Sequence, residues 1–139
     1  MNFKKIWFVV CLVLAVGGCD SRPNVEWQKF DETVLKTAQD SGQPTLVYFY
    51  AAWCRPCQQL RSSTFRDERV VNSLANWNRL KADMSFREDK TTIARNQAFE
   101  VWALPTLVFY GKDGEIKSKM QGYVSAERLL EAVSETINS

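Results

Sequence analysis

The sequence contains no histidine. Histidine is the usual general base of hydrolase triads and the commonest side-chain metal ligand, so its absence excludes histidine-dependent triads and histidine-based metal sites. The chain also lacks an excess of charge. After the N-terminal segment that carries Lys4 and Lys5, sixteen basic residues balance sixteen acidic ones. This balance does not favour nucleic acid as a partner. The chain has no internal repeat and no low-complexity segment.

The apolar run near the start of the chain is too short to span a bilayer. Ile6 to Val16 comprises eleven residues, which reach about 17 Å as a helix against a hydrocarbon core of about 30 Å. The run follows Lys4 and Lys5 and precedes small residues, which is the pattern of a secretion signal.

The signal ends in Val16-Gly17-Gly18-Cys19, which resembles a bacterial lipobox. We therefore expect Cys19 to be acylated and to become the first residue of the mature chain. Asp20 resembles the residue that keeps a lipoprotein in the inner membrane. The alternative is a signal that is uncleaved or ordinarily cleaved, which would leave Cys19 as a free thiol. The expected division of the chain is a lipoprotein signal peptide over 1–18, a lipidated tether over 19–26 and one domain over 27–139.

The cysteine count bears on the pair Cys54 and Cys57. A Cys-x-x-Cys occurs in zinc sites, structural disulfides and redox centres, so the spacing alone leaves all three open. A four-thiolate zinc site needs a second pair at ligand spacing, and Cys11 and Cys19 are eight residues apart. Cys11 would leave with the signal and Cys19 would carry lipid. The mature chain then has two thiols, which favours a redox dithiol.

The residues around this pair predict a reactive thiol. Thr45 to Tyr50 is an apolar, β-prone strand, and a helix is expected from Cys54 to about Ser63. The positive end of the helix dipole would stabilise a Cys54 thiolate and lower a thiol pKa that is otherwise about 8.5. Pro56 is tolerated in the first helical turn. Cys57, one turn further on, is placed to close a disulfide with Cys54, so the pair can carry out thiol–disulfide exchange.

The rest of the chain reads as an alternating α/β pattern. We expect a hairpin through Gly111 to Gly114, and a final helix capped by Ser125 that carries Leu129, Leu130, Val133 and Ile137 on one face. The other expected elements are a short edge strand over Trp27 to Phe30, helices over Asp31 to Ser41, Asp67 to Ala75 and Glu88 to Phe99, and strands over Trp77 to Asp83, Thr106 to Tyr110 and Ile116 to Gln121.

Three separated motifs resemble the thioredoxin-fold family: Trp53-Cys-Arg-Pro-Cys57, Leu104-Pro-Thr106, and Gly122 before the last helix. The resemblance implies an α/β thioredoxin-like fold with a central mixed sheet flanked by helices. It also implies that Pro105 is cis and faces the dithiol, and that the backbone of Leu104 pairs with a substrate strand. Trp53 would line that groove. Trp102 would either join Trp53 in an apolar rim or be a partly buried core residue.

Within that family the chain resembles the C-terminal periplasmic domain of the thiol:disulfide interchange protein DsbD. The multi-spanning membrane part of DsbD has no counterpart in this sequence. The motifs that carry this resemblance are Tyr50-Ala51-x-Trp53-Cys54, Thr64-Phe65 with Asp67 and Val70, and Val101-x-x-Leu104-Pro105-Thr106-Leu107.

Two positions depart from the family pattern. Tyr48 stands where the resemblance implies a buried aspartate that assists proton transfer, and Arg61 stands where the DsbD domain has an acidic residue. A phenol is a poor base at neutral pH. Arg55, Arg61 and the missing carboxylates all favour thiolate, so we expect a couple less reducing than the roughly −270 mV of thioredoxin. Pro56 and the DsbD-like flanking residues favour a reductase.

These observations predict a membrane-anchored periplasmic thiol–disulfide oxidoreductase in which Cys54 attacks and Cys57 resolves. Neither cofactor nor metal is expected, because the dithiol itself carries the electrons. The expected partners are proteins with disulfides or dithiols and a membrane electron donor of the DsbD type, and the chain is expected to be a monomer. The alternatives are a thiol oxidase or isomerase, or a non-catalytic module that binds a protein or Cu(I).

Overall fold

The computed structural model describes residues 22–139. The predicted signal peptide, the lipidation site Cys19 and the sorting residue Asp20 lie outside the described residues. Within residues 22–139, none of the helices combines the length and the apolar character needed to cross a membrane.

The described chain alternates strands and helices, as the sequence predicts, and the element ends differ from the prediction by at most about three residues. A 3₁₀ turn over Thr64–Arg66, which the sequence did not indicate, follows the second helix. The strands are β1 (Gln28–Lys29), β2 (Thr45–Tyr50), β3 (Asn78–Asp83), β4 (Thr106–Tyr110) and β5 (Ile116–Gln121). The helices are α1 (Glu32–Gln39), α2 (Arg55–Ser62), α3 (Glu68–Ser73), α4 (Lys90–Phe99) and α5 (Ala126–Asn138).

The five strands form one mixed sheet in the order β1-β3-β2-β4-β5. β1, β3 and β2 are parallel, whereas β4 pairs antiparallel with both β2 and β5. The predicted thioredoxin-like α/β fold is confirmed. Because β2 and β3 are parallel neighbours, the loops that follow their carboxyl ends lie side by side. That arrangement brings the loop before Cys54 next to the loop after Asp83.

Alternating side chains of β2 are buried on both faces of the sheet, as expected for a central strand. Leu46 and Tyr48 join a core with residues of α2, α3 and α5, while Val47 and Phe49 join a second core with residues of α1 and α4. The sheet is therefore covered on both sides, and α2 is anchored through Leu60, which is fully buried.

Three residues differ from the sequence-based expectation. Val25, expected in the tether, is buried, and its N–H donates to Phe65 O at 3.0 Å, so the packed body includes this part of the expected tether. Trp77 is buried but precedes β3 instead of lying in it. Ile137, expected on the apolar face of α5, is 46% exposed, and Thr136 is buried in its place.

Candidate active site

The two cysteines form a disulfide at the start of α2, with their Cα atoms 5.2 Å apart. Cys54 is the N-cap residue of the helix in an extended conformation, and Pro56 lies in the first turn. The Cys57 N–H donates to Cys54 Sγ at 3.3 Å. The sulfur of Cys54 thus occupies the place of a capping oxygen, where N–H groups of the first turn stabilise negative charge. A thiolate formed at this atom on reduction has a hydrogen-bond donor already in place.

The end of β2 and the loop before β4 position the disulfide. Cys54 N–H donates to Ala51 O at 3.2 Å, which closes the turn between β2 and α2. Ala51, Cys54 and Cys57 form a small buried cluster against which Tyr50 and Leu104 pack. The disulfide is therefore packed against the end of β2 and the loop before β4.

The peptide bond between Leu104 and Pro105 is cis, as the resemblance implied. Gly122, at φ 83°, donates its N–H to Pro105 O at 2.8 Å, so the glycine before α5 adopts a left-handed conformation that holds this loop. Within residues 22–139, neither the backbone N–H nor the C=O of Leu104 has a hydrogen-bond partner. That backbone is available to an added strand.

A groove of about 540 Å³ runs beside the disulfide. Cys54 lines this groove and is 4% exposed, whereas Cys57 does not line it and is fully buried. Leu104 and Pro56 form part of its wall. Of the two cysteines, the one at the helix cap is therefore the one that borders this surface. We refer to this surface below as the Cys54 groove.

Two tryptophans border the Cys54 groove. Trp53 is 49% exposed and Trp102 is 74% exposed. Of the two alternatives for Trp102, a partly buried core residue does not fit this exposure. Large exposed aromatic side chains that meet at one groove are typical of protein-contacting surfaces.

A hydrogen-bond network that the sequence analysis missed holds the loop before Cys54. Trp53 Nε1 donates to Ser85 O at 2.9 Å, and Ala52 N–H donates to Ser85 Oγ at 2.8 Å. Ser85 Oγ in turn donates to the Asp83 carboxylate in a short hydrogen bond. The parallel pairing of β2 and β3 brings these loops together, and that pairing is the signal that could have indicated the contact.

Arg87 is the second residue that sequence reasoning missed. The sequence places it in a charged cluster before α4, but its guanidinium carbon lies 3.9 Å from the centroid of the Trp53 ring. Arg87 and Arg55 both line the Cys54 groove. Asp89, in the same cluster, caps α4 by accepting hydrogen bonds from the N–H groups of Thr91 and Thr92.

Aromatic rings pack beside Cys57. Tyr48 is 1% exposed, and its hydroxyl donates to Cys57 O at 3.4 Å. Its ring centroid lies 5.3 Å from those of Trp27 and Tyr50 and 5.1 Å from that of Phe65. Burial raises the pKa of Tyr48 far above its usual value of 10.0, so the hydroxyl stays protonated at neutral pH.

Arg61 lies on the exposed surface of α2 and borders a hollow shared with Tyr48 and Tyr50. Its charge lowers the pKa of both phenols, but burial dominates and raises the pKa of each. Within residues 22–139, no cluster of three or more cysteine, aspartate or glutamate side chains is arranged to hold a metal ion.

Comparisons with known proteins agree with this geometry. The family model of the thioredoxin-like domain matches residues 32–137. The thiol:disulfide interchange protein DsbD of Campylobacter jejuni is 31% identical over 102 residues, which are 73% of this chain and 18% of that protein. The chain therefore spans about a fifth of the length of this curated relative.

Solved structures show the same fold. The reduced C-terminal domain of DsbD from Neisseria meningitidis superimposes with a TM-score of 0.64 at 19% identity, covering 79% of this chain and all of that one. Oxidised mitochondrial thioredoxin 3 from Saccharomyces cerevisiae gives a TM-score of 0.62 at 22% identity, covering 78% of this chain and 94% of that one.

Proposed function

This chain belongs to the thioredoxin-like domain family, and on that premise we propose that it is a membrane-anchored periplasmic thiol–disulfide oxidoreductase that reduces disulfides of partner proteins. The observation that carries the proposal is the unequal placement of the two sulfurs: Cys54 lines the groove at a helix N-terminus, and Cys57 is buried behind it. The similarity to proteins named as thiol:disulfide interchange proteins supports the same reaction class.

The reaction begins with the protein as a dithiol. The Cys54 thiolate attacks one sulfur of the partner's disulfide, a bond forms between Cys54 and that sulfur, and the partner's other sulfur leaves as a thiolate. The Cys57 thiolate then attacks Cys54 Sγ and releases the partner's second thiolate. The partner has gained two electrons and, after protonation, two protons. The protein is left with the Cys54–Cys57 disulfide seen in the structure.

The remaining site residues shape this reaction. Trp53 and Leu104 line the substrate groove. The cis bond at Pro105 sets the backbone path of Leu104, whose unpaired N–H and C=O can bond to an extended partner segment. Arg55 and the first helical turn favour the Cys54 thiolate, and Pro56 fixes the backbone of that turn. Tyr48 borders Cys57 and supplies no carboxylate to accept its proton.

Regeneration of the dithiol requires an electron source. Disulfides persist in the periplasm because that compartment is oxidising, so a reductase working there needs a dithiol donor that draws electrons across the membrane. A membrane transporter of the DsbD type has this chemistry. We infer an inner-membrane lipoprotein, with residues 1–18 removed, Cys19 acylated, a tether after it, and a monomeric thioredoxin-like domain that follows.

A thiol oxidase or isomerase is the second candidate. The observation that favours it is Tyr48, because a buried phenol in place of a carboxylate leaves no negative charge to oppose a thiolate at Cys57. A stabilised dithiol makes the couple more oxidising. Equilibration with glutathione distinguishes the candidates, since an oxidase needs a potential near the roughly −120 mV of DsbA and a reductase a value well below it.

The reaction is tested with two cysteine variants of the reduced protein and a disulfide-bonded peptide. Cys54→Ala should abolish reduction of the peptide. Cys57→Ala should instead stop after the first step and accumulate a mixed disulfide between Cys54 and the peptide, visible by mass spectrometry and released by dithiothreitol. Turnover by the Cys54→Ala variant, or a mixed disulfide on Cys57, would contradict the assigned roles.

The anchor is tested separately by metabolic labelling with a fatty acid. The protein should take up the label and fractionate with the inner membrane, and Cys19→Ala should lose the label. Cys11→Ala is the matched control, because that residue would be removed with the signal, and its labelling should be unchanged. Equal labelling of all three proteins would refute acylation at Cys19.

A further inference from the structure

We propose that the Cys54 groove selects an extended partner segment with acidic side chains next to its disulfide. The inference rests on the proposed function and names the substrate class of the same site. The groove's charged lining residues are Arg55 and Arg87, both cationic. Within residues 22–139, no carboxylate forms an ion pair with either of them. Their positive charge is therefore uncompensated at the surface where the partner binds.

Arg87 is held in place by its contact with Trp53. A guanidinium that lies over an aromatic ring is attracted to the ring face and keeps N–H donors that can bind a carboxylate. The Trp53 ring is itself fixed by the hydrogen bond from Nε1 to Ser85 O. The cation is thus positioned before the partner arrives, which reduces the entropy lost when a carboxylate binds.

The acidic residues that follow Arg87 in the sequence do not cancel this charge within the groove. Glu88 and Asp89 line a separate hollow that shares Trp53 and Arg87 with the Cys54 groove. The Asp89 carboxylate accepts hydrogen bonds from two backbone N–H groups at the start of α4, so its charge is directed at the helix terminus. Neither residue lines the Cys54 groove itself.

The apolar surface of the groove indicates the shape of the partner segment. Trp53 and Trp102 offer exposed rings in the same groove as Cys54, and the free backbone groups of Leu104 can pair with a segment in extended conformation. A segment that fits has its disulfide at Cys54, apolar side chains against the rings and carboxylates near Arg55 and Arg87. Such complementarity raises the association rate and sets partner choice.

The test uses the full chain in detergent, reduced, with three peptides that share one internal disulfide and differ only in flanking glutamate, glutamine or lysine residues. Each reduction rate is divided by the rate of the same peptide with dithiothreitol, which carries no charge besides that of its attacking thiolate and corrects for intrinsic reactivity. We expect the acidic peptide to react about five- to tenfold faster than the basic one at low salt, and the ratio to fall as salt is added.

Substitutions at Arg87 locate the preference, because this residue lies outside the Cys-x-x-Cys. Arg87→Glu should bring the ratio to one or reverse it, and Arg87→Lys should retain most of it. Lys112→Glu makes the same charge change on the exposed turn between β4 and β5 and should leave the ratio unchanged.

Reduction of the neutral 2-hydroxyethyl disulfide separates this inference from the proposed function. If the protein reduces that compound but treats the three peptides alike within about twofold, or if Arg87→Glu keeps the original ratio, the inference is wrong and the proposed function stands. If no disulfide is reduced, the proposed function fails and the inference fails with it.

Discussion

The two sides of the first turn of α2 differ sharply. On one side, Cys54 borders an open groove with exposed tryptophans and uncompensated arginines; on the other, Cys57 lies behind Tyr48 and a group of packed aromatic rings. The cysteines are three residues apart and share a helix. We therefore attribute the different roles proposed for the two cysteines to what packs around each of them.

The difference between the Cys54 side and the Cys57 side is tested most directly by measuring the reactivity of each thiol in the reduced protein. Cys54 should be alkylated about 10³-fold faster than Cys57, because alkylation of a fully buried thiol requires local opening of the structure. The rate at Cys54 should titrate with a midpoint below about 7.5, against about 8.5 for a free thiol. Mass spectrometry after timed iodoacetamide quenching gives both rates. Similar rates at the two thiols would show that the sides do not differ.

A charge introduced on the Cys57 side should change both the stability and the redox potential of the protein. Tyr48→Asp replaces a buried ring with a carboxylate and should cost about 2–4 kcal/mol in unfolding free energy. The added negative charge disfavours a Cys57 thiolate, and one pKa unit is about 1.4 kcal/mol or about 30 mV, so the potential should become more negative by tens of millivolts. Urea unfolding and glutathione equilibration measure the two effects. An unchanged or more positive potential in a folded variant would show that position 48 does not act on the dithiol.

Tyr48, on the Cys57 side, should also make the free energy of unfolding depend on pH in the alkaline range. Burial raises the folded-state pKa of Tyr48 above 10.0, so its contribution to stability is fully present below pH 10 and is lost as the pH rises further. Tyr48→Phe should flatten that loss by up to about 1.4 kcal/mol per pH unit. Tyr110, in the other core, has its pKa raised to about 12 by burial. Tyr110→Phe should therefore flatten the curve between pH 10 and 12.

These two phenylalanine variants also separate stability from redox effects. Tyr48→Phe removes the hydroxyl beside Cys57, whereas Tyr110 contacts the core on the other face of the sheet. We expect a change of potential in the first variant only. Equal alkaline curves for Tyr48→Phe and the unmodified protein would mean that the phenol ionises normally in the folded state.

The smallest expected effect concerns the hydrogen bonds that hold the loop before Cys54. Ser85→Ala leaves the Ala52 N–H without its acceptor and should cost about 1 kcal/mol in stability and less than about threefold in turnover. Ser73→Ala is the matched control, since it removes a hydroxyl that bonds Val70 O on α3, away from the site. A loss of turnover in the control as large as in Ser85→Ala would remove any specific role for the network.

Much of the fold could be predicted because local signals agree with the tertiary structure. Asp31 and Ser125 cap α1 and α5 as their positions in the sequence suggest. The cis bond at Pro105 followed from the resemblance. The disulfide of Cys54 and Cys57 followed from their spacing at a helix start.

The errors on α5 and at Val25 have physical causes. Residues advance by about 100° each around a helix, so Thr136 lies about 20° from Leu129 and Ile137 about 80° away, which turns Ile137 out of the core. Val25 follows a polar stretch and belongs to no periodic element, so its burial depends on the tertiary contact with Phe65. No local pattern reports such a contact.

The stacking of Arg87 on Trp53 could not be read from the sequence either. The two residues are separated by two helices, a 3₁₀ turn and a strand, and their contact depends on the paths of two loops. Topology indicates that the loops are neighbours but does not specify which side chains meet. The groove's charge, which bears on partner choice, was therefore the least predictable feature of the site.

The point at which the chain enters the folded body has a consequence for how far the enzyme can work from the bilayer. Val25 is pinned to Phe65, and Trp27 packs against Tyr48 and Phe65 on the Cys57 side. If Cys19 carries the lipid, the six residues 19–24 form a tether of at most about 20 Å. So short a tether would confine the domain to a thin layer above the membrane. Its search for partners would then be close to two-dimensional. Clients that are themselves at the membrane surface would then meet it at a far higher effective concentration than free proteins.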